Sequence, residues 1–338
     1  MRISYVIILI GLLIAGCQKS SFTKNGQAND QFFLKSGNIE LPITVAGNVD
    51  AKKFLVIVHG GPGGNGLDYR DSYAMALAEN KCAVVYWDQR FAGNSQGNNG
   101  ATDISAFRQD IKNILLLLKA QYGQDIQIYL MGHSWGGFLT PYFLVEGNNQ
   151  SLVKGWIQVD GAHNYRMNDS LTREMLISTG KQEIAAGRRS SDWQPVVDWC
   201  MANGFEGNDN AGQLNGYAHK AEEWIPAVTT PSNSTSSGGN NAALLSHWIN
   251  ERASGYLQLD GPAYTTPISD QLHLLKLPTL LLWGQYDFVC PLGLSTDIEK
   301  HCASTNLTKI IYEHSGHSPM VNEPVKFWED VLAWMERN

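Results

Sequence analysis

A serine hydroxyl attacks a carbonyl carbon at neutral pH only when a nearby base takes its proton and a carboxylate orients that base. The chain offers all three groups in telling surroundings. Ser134 lies in Gly132-His133-Ser134-Trp135-Gly136-Gly137, behind the apolar run Ile126–Met131 and ahead of a second, Phe138–Val145. A serine on a tight strand-to-helix turn exposes its Oγ, and flanking glycines remove side chains that would clash in so strained a turn. Asp287 closes Gly284-Gln285-Tyr286-Asp287 after the run Thr279–Trp283, and His317 sits in Gly316-His317-Ser318-Pro319 shortly after Lys309–Tyr312. Acid and base thus fall on loops leaving the carboxyl ends of neighbouring strands, in the chain order serine, acid, histidine. That order points to acyl transfer through Ser134, Asp287 and His317. Asp160, just past Trp156–Val159, stays open as a rival acid, and His314 as a rival base.

The tetrahedral intermediate of acyl transfer needs two fixed N–H donors for its oxyanion. His59-Gly60-Gly61-Pro62-Gly63-Gly64 follows the strand-like run Phe54–Val58, and its glycines leave backbone N–H groups open to an approaching oxygen, whereas Pro62 has none to give. The N–H groups of Gly61 and Trp135 are the expected pair.

These residues need a rigid frame. Short runs rich in β-branched and aromatic residues alternate with helical patterns, which predicts a mostly parallel sheet with helices on both faces. Gln31–Leu34 and Ile39–Val45, joined by Ser36-Gly37-Asn38, read as an edge hairpin. Buried strands are expected at Phe54–Val58, Ala83–Trp87, Ile126–Met131, Trp156–Val159, Thr279–Trp283 and Lys309–Tyr312. Phe107, Ile111, Ile114, Leu115 and Leu118 follow helical spacing within 104–121, and a closing helix is expected over 324–337. Residues 162–271 break the alternation and read as a helical cap inserted after the sixth strand. Its Trp193, Trp199, Trp224 and Trp248 are expected in the cap's own core, and its Ser/Gly/Asn-rich piece, 229–241, in a loop. The core is then 31–161 together with 272–338.

With 43% apolar and 17% charged residues the chain can bury a large core. A net charge of -7 and the lack of any dense Lys/Arg run argue against a nucleic-acid partner. No metal or organic cofactor is implied. Met1-Arg2, the apolar run to Ile14 and the small residues before Cys17 read as an export signal over 1–16, followed by a polar linker over 17–30. Cys82, Cys200, Cys290 and Cys302 form an even set that an oxidising compartment would allow to pair, with a bridge expected between Cys290 and Cys302.

Two resemblances follow. Ile14-Ala15-Gly16-Cys17 resembles the bacterial lipobox, which implies a diacylated Cys17, a protein tethered to the cell envelope by acyl chains, and no transmembrane helix in the mature form. His59-Gly60-Gly61-Pro62-Gly63, Asp88-Gln89-Arg90 and Ser134-Trp135-Gly136 resemble the proline iminopeptidase-like branch of the α/β-hydrolases, from about residue 31 to the C-terminus apart from the cap. That likeness implies an α/β-hydrolase fold and an aminopeptidase acting on small peptides or amides, with carboxylesterase or lactonase activity as the alternative and a silent binding protein as a third reading. Cap carboxylates hold the substrate's amino group in that branch, and Glu222 and Glu223 are the counterparts on offer here. His133 and Phe91 stand where the branch usually has glycine, and Asp88 and Arg90 read as structural turn residues behind the site.

Overall fold

The computed structural model describes residues 26–97, 103–205, 208–228 and 261–338. The expected signal segment with Cys17, the 229–241 piece and Trp248 lie outside these residues.

Eight strands form one sheet: β1 (Gln27–Ser36), β2 (Ile39–Asn48), β3 (Lys53–Val58), β4 (Ala83–Trp87), β5 (Gln127–His133), β6 (Gly155–Val159), β7 (Thr279–Gly284) and β8 (Leu307–Tyr312). Their spatial order is β1-β2-β4-β3-β5-β6-β7-β8. The β1–β2 hairpin is antiparallel and joins β4 antiparallel, and every pairing beyond β4 is parallel. The central strands are buried on both faces because successive side chains enter opposite layers. Phe54, Val56 and Val58 of β3 join one hydrophobic cluster, whereas Leu55 and Ile57 join the other.

The first layer receives α1 (Ile104–Tyr122) and α2 (Trp135–Leu144). Asp103 caps α1 by accepting from the Ser105 N–H, and Phe107, Ile111, Ile114, Leu115 and Leu118 are buried as their spacing requires. Between β6 and β7 come α3 (Tyr165–Ala185), α4 (Ser190–Ala202) and α5 (Asn208–Trp224), and between β7 and β8 lies α6 (Gly293–His301). The closing helix α7 (Pro324–Arg337) covers the opposite layer with Phe327, Trp328, Val331 and Trp334. Trp193 is fully buried and meets the Trp224 ring edge-on at 5.1 Å, and Trp199 does the same with Tyr217 at 5.4 Å.

Two expectations need correction. The polar linker does not run to Asp30, because β1 starts at Gln27 and pairs with β2 along its whole length. As an edge strand with one solvated face it tolerates Asn29, Asp30 and Gln31, whose polarity hid it. Cys290 and Cys302 are not bridged: all four described cysteines are free thiols. Cys290 precedes α6 and Cys302 follows its far end. A nine-residue helix spans about 13 Å, beyond the roughly 7 Å between Cα atoms that a disulfide bridges.

Candidate active site

Strand β5 delivers its last residue, His133, directly to Ser134, and α2 begins at Trp135. Ser134 has φ 56° and ψ −119°, a region that costs an L-residue about 1–3 kcal/mol and persists only when its surroundings over-determine it. The surroundings do so. The Ser134 N–H donates to the Val159 carbonyl at 3.1 Å, and its own carbonyl accepts from Gly137 and Ala162. A Cβ at Gly132 would collide with the Gly136 carbonyl, and one at Gly136 with the Val58 carbonyl, so β3, β5 and α2 meet here at distances only glycine permits.

The 59–64 loop is fixed from behind by Gln89. The Gln89 backbone N–H donates to His59 Nε2 at 3.0 Å, its side-chain amide donates to the His59 carbonyl at 2.7 Å, and its Oε1 accepts from the Trp135 indole at 2.9 Å. With Nε2 accepting, the proton of His59 sits on Nδ1 and is donated to the Gly60 carbonyl at 2.7 Å. Asp88 accepts from the Gly66 and Asn94 N–H groups, and Arg90 forms a two-pronged ion pair with Asp110, at 2.7 and 2.8 Å, in the core. Both are the turn residues their motif suggested. Phe91 keeps the left-handed backbone, φ 60°, that glycine adopts freely, and is itself buried.

Asp287 and His317 come together on the loops after β7 and β8. His317 Nδ1 donates to Asp287 Oδ2 at 3.0 Å, while Asp287 Oδ1 accepts from the backbone N–H groups of Val289 and Cys290. A carboxylate only accepts here, so the His317 proton resides on Nδ1 and Nε2 is left as the basic nitrogen. Burial alone would lower the affinity of His317 for a proton, but the charge and hydrogen bond of Asp287, with Glu222 adding to them, raise it above the ordinary 6.5.

Glu222, on α5, accepts from the backbone N–H groups of Phe288 at 3.0 Å and His317 at 3.1 Å, clasping the two loops together. Burial first and the charge of Asp287 second push it up to about 8. Glu223, next to it, is exposed. Asp160 is fully buried with φ 43°, its Oδ1 accepting from the Gly284 N–H at 2.9 Å and its Oδ2 without a hydrogen-bond partner. Burial and the neighbouring Asp287 drive it far above the carboxylate range, toward the neutral acid. His314 is exposed, and its hydrogen bond to Glu323 is made by the backbone.

Ser134, His317 and Gly61 line one cavity of about 430 Å³, and Asp287 lies behind His317. Sequence reasoning did not find several other lining residues, among them Asn65, Asp68 and Tyr69 from the segment after the glycine loop, and Asn215 and His219 from α5. No motif marks them, because each reaches the cavity only through the packing of distant elements. None of the described cap tryptophans lines it. Among the described residues no helix is long and apolar enough to cross a membrane.

The arrangement can support hydrolytic chemistry, and the chain is similar to known hydrolases. The serine aminopeptidase (S33) family model matches residues 49–184. A proline iminopeptidase of Clostridioides difficile is 23% identical over 304 residues, covering 87% of this chain and 93% of that one. The crystal structure of a proline iminopeptidase from Mycobacterium smegmatis superposes with a TM-score of 0.65 at 16% identity, over 91% of this chain and 98% of its own. An esterase from Exiguobacterium antarcticum gives 0.56 at 17%, over 91% and 100%. The eight-stranded, mostly parallel sheet and the sharp turn at Ser134 give the chain the α/β-hydrolase fold, and these likenesses support a hydrolase enzyme similar to proline iminopeptidases.

Proposed function

We propose that the chain is a serine hydrolase working through an acyl-enzyme on Ser134, and that its substrates are small peptides or amides with a free amino terminus. The observation that carries this reading is the 3.0 Å bond from His317 Nδ1 to Asp287, which leaves His317 Nε2 basic beside a cavity that Ser134 also lines. Ser134 Oγ attacks the carbonyl carbon as His317 Nε2 takes its proton. The oxyanion is met by the N–H groups of Gly61 and Trp135, and Asp287 stabilises the imidazolium. His317 then gives the proton to the departing amine. Water, deprotonated by the same nitrogen, hydrolyses the ester and frees Ser134.

Charge favours an amino terminus. Among the described residues Asp68 is the carboxylate in the cavity lining, and no Lys or Arg joins it. Burial, and then the charge of another acid, Asp88, raise its affinity for a proton. The oxygens of Glu222 are taken by backbone donors and Glu223 faces solvent. Asp68 is therefore a better counterpart for a substrate ammonium than Glu222 or Glu223.

A fluorophosphonate should label the protein, and Ser134→Ala should abolish labelling; label on the alanine variant would move the nucleophile elsewhere. Blocking the amino terminus of an aminoacyl amide should cost about 2 kcal/mol or more in kcat/KM, the scale of a lost charge-assisted contact. Asp68→Asn should erase most of that difference. Equal rates on free and blocked amides with fast ester cleavage would favour the esterase alternative.

We also propose export and tethering through a diacylated Cys17, on the strength of the Ile14-Ala15-Gly16-Cys17 pattern. Cys17→Ala should release the protein from the membrane fraction, and retention there would point to an uncleaved signal segment.

A further inference from the structure

His133 lies beside the two groups that must be held relative to each other, and both of its ring nitrogens have a hydrogen-bond partner. Its Nε2 is 2.7 Å from the main-chain carbonyl of His317, and its Nδ1 is 2.5 Å from the Tyr69 hydroxyl, which also takes the Gly60 N–H at 2.9 Å. A carbonyl oxygen cannot donate, so the His133 proton resides on Nε2 and Nδ1 is a bare acceptor. The Tyr69 proton must then point at Nδ1, which leaves the Tyr69 oxygen to accept from Gly60. The result is one chain of hydrogen bonds with a single direction: Gly60 N–H to Tyr69, Tyr69 O–H to His133, and His133 Nε2–H to His317. It ties the loop that carries Gly61 to the loop that carries His317, and it passes through the residue next to Ser134.

Taking Ser134, Gly61 and His317 in the roles proposed above, we infer that His133 and Tyr69 are positioning residues that lock the oxyanion loop and the base loop into one geometry around the nucleophile. Crowding reinforces the lock. A Cβ on Gly60 would lie 3.2 Å from the Ser134 Cβ, 3.3 Å from His133 Nδ1 and 3.4 Å from the Tyr69 oxygen, so the three residues meet at Gly60. The His133 and His317 rings lie 4.9 Å apart, inclined by 38°, and the Tyr69 ring meets His133 edge-on at 5.7 Å. His133 has to stay uncharged to hold this pattern, because an imidazolium would present a proton to Tyr69 and repel the charge that forms on His317 during the reaction. Burial, followed by the influence of His317, lowers it to about 3, so it remains neutral wherever His317 can act.

The positioning role concerns the reacting geometry and not ground-state binding, so its signature is a fall in kcat at nearly constant KM. Tyr69→Phe removes one oxygen and keeps the ring. His133→Gln keeps a donor for the His317 carbonyl but cannot also offer Tyr69 an acceptor at Nδ1. On wild type, both single variants and the double variant, each shown folded by circular dichroism, one would measure the rate of fluorophosphonate labelling and the kcat and KM of an activated ester. Each single change should slow labelling and kcat by roughly ten- to a hundredfold, the scale of a small misplacement of reacting groups. The double variant should be no slower than the slower single, because both changes cut the same chain. Losses that multiply, losses confined to KM, or a Tyr69→Phe rate within about twofold of wild type would overturn the inference. Wild-type protein inert to the probe would overturn the nucleophile assignment, and this inference with it.

Discussion

Ser134 is held by backbone and His317 by charge. On the serine side, a strained residue is fixed by N–H and carbonyl partners in β6 and α2, glycines let three elements touch, and Gln89 braces the loop with neutral hydrogen bonds. On the histidine side, one imidazole is bonded to Asp287 and acted on by Glu222, while both of these acids act on the fully buried Asp160. Geometry that depends on backbone is insensitive to pH, whereas geometry that depends on clustered acids carries its protonation state with it. The two sides should therefore fail differently when perturbed.

The largest effect should come from Asp287→Asn. It leaves the shape nearly intact but removes the acceptor that keeps the His317 proton on Nδ1, and kcat should fall by roughly 10³–10⁴-fold. The pH profile sharpens the point. His317 must be unprotonated to act, and its affinity for protons is raised above 6.5, so kcat/KM should climb with pH through a midpoint above that value. In Asp287→Asn the chief raising influence is gone, burial dominates, and the residual activity should show its midpoint at lower pH. A midpoint unmoved by the substitution would mean that another group sets it.

Glu222→Gln should have an intermediate, pH-dependent effect. Gln retains one carbonyl acceptor for the two backbone donors, so the loops lose about 1–3 kcal/mol of stabilisation. For a carboxyl held above its ordinary 4.5, the folded state gains from the bound proton below that value and loses the gain as pH rises toward about 8. Gln does not titrate. Its deficit against wild type, measured by denaturant unfolding, should thus be largest on the acid side and shrink toward pH 8. Asp160→Asn should be the mildest change. The acid is held toward its neutral form, its Oδ1 bond to Gly284 survives in the amide, and kcat should stay within about tenfold of wild type. A loss as large as that of Asp287→Asn would transfer the orienting role to Asp160.

The same division explains what the sequence made legible. The serine side could be read residue by residue because its signals are local: the glycines at 132 and 136 flank the serine within a single turn, even though Gly136 is required by the Val58 carbonyl of β3, and the 59–64 loop is marked by its glycine density. The strand alternation and the spacing of Phe107, Ile111, Ile114 and Leu118 likewise sufficed for the sheet and α1. Asp287 and His317 were readable as loop residues after strands. What surrounds them was not: Glu222 was read as a ligand for substrate because nothing local reveals that Phe288 and His317, 66 and 95 residues away, would present their N–H groups to it. Tyr69 carries no motif, and its partner His133 is 64 residues distant. His133 and Phe91 stood out as departures from glycine. The structure gives the first a network and shows the second keeping the glycine-like backbone under a buried ring.

The edge-on pair Trp193 and Trp224 has an optical consequence. Two indoles 5.1 Å apart and inclined by 77° are close enough for their electronic transitions to couple, and such a pair gives a circular dichroism couplet that neither ring gives alone. Trp193 belongs to α4, and Trp224 ends α5, the helix that also carries Glu222 and the cavity residues Asn215 and His219. A couplet that survives substrate binding would show α4 and α5 travelling as one body. One that fades would show α5 parting from α4 during turnover, and either Trp193→Phe or Trp224→Phe should erase the signal and so identify its source.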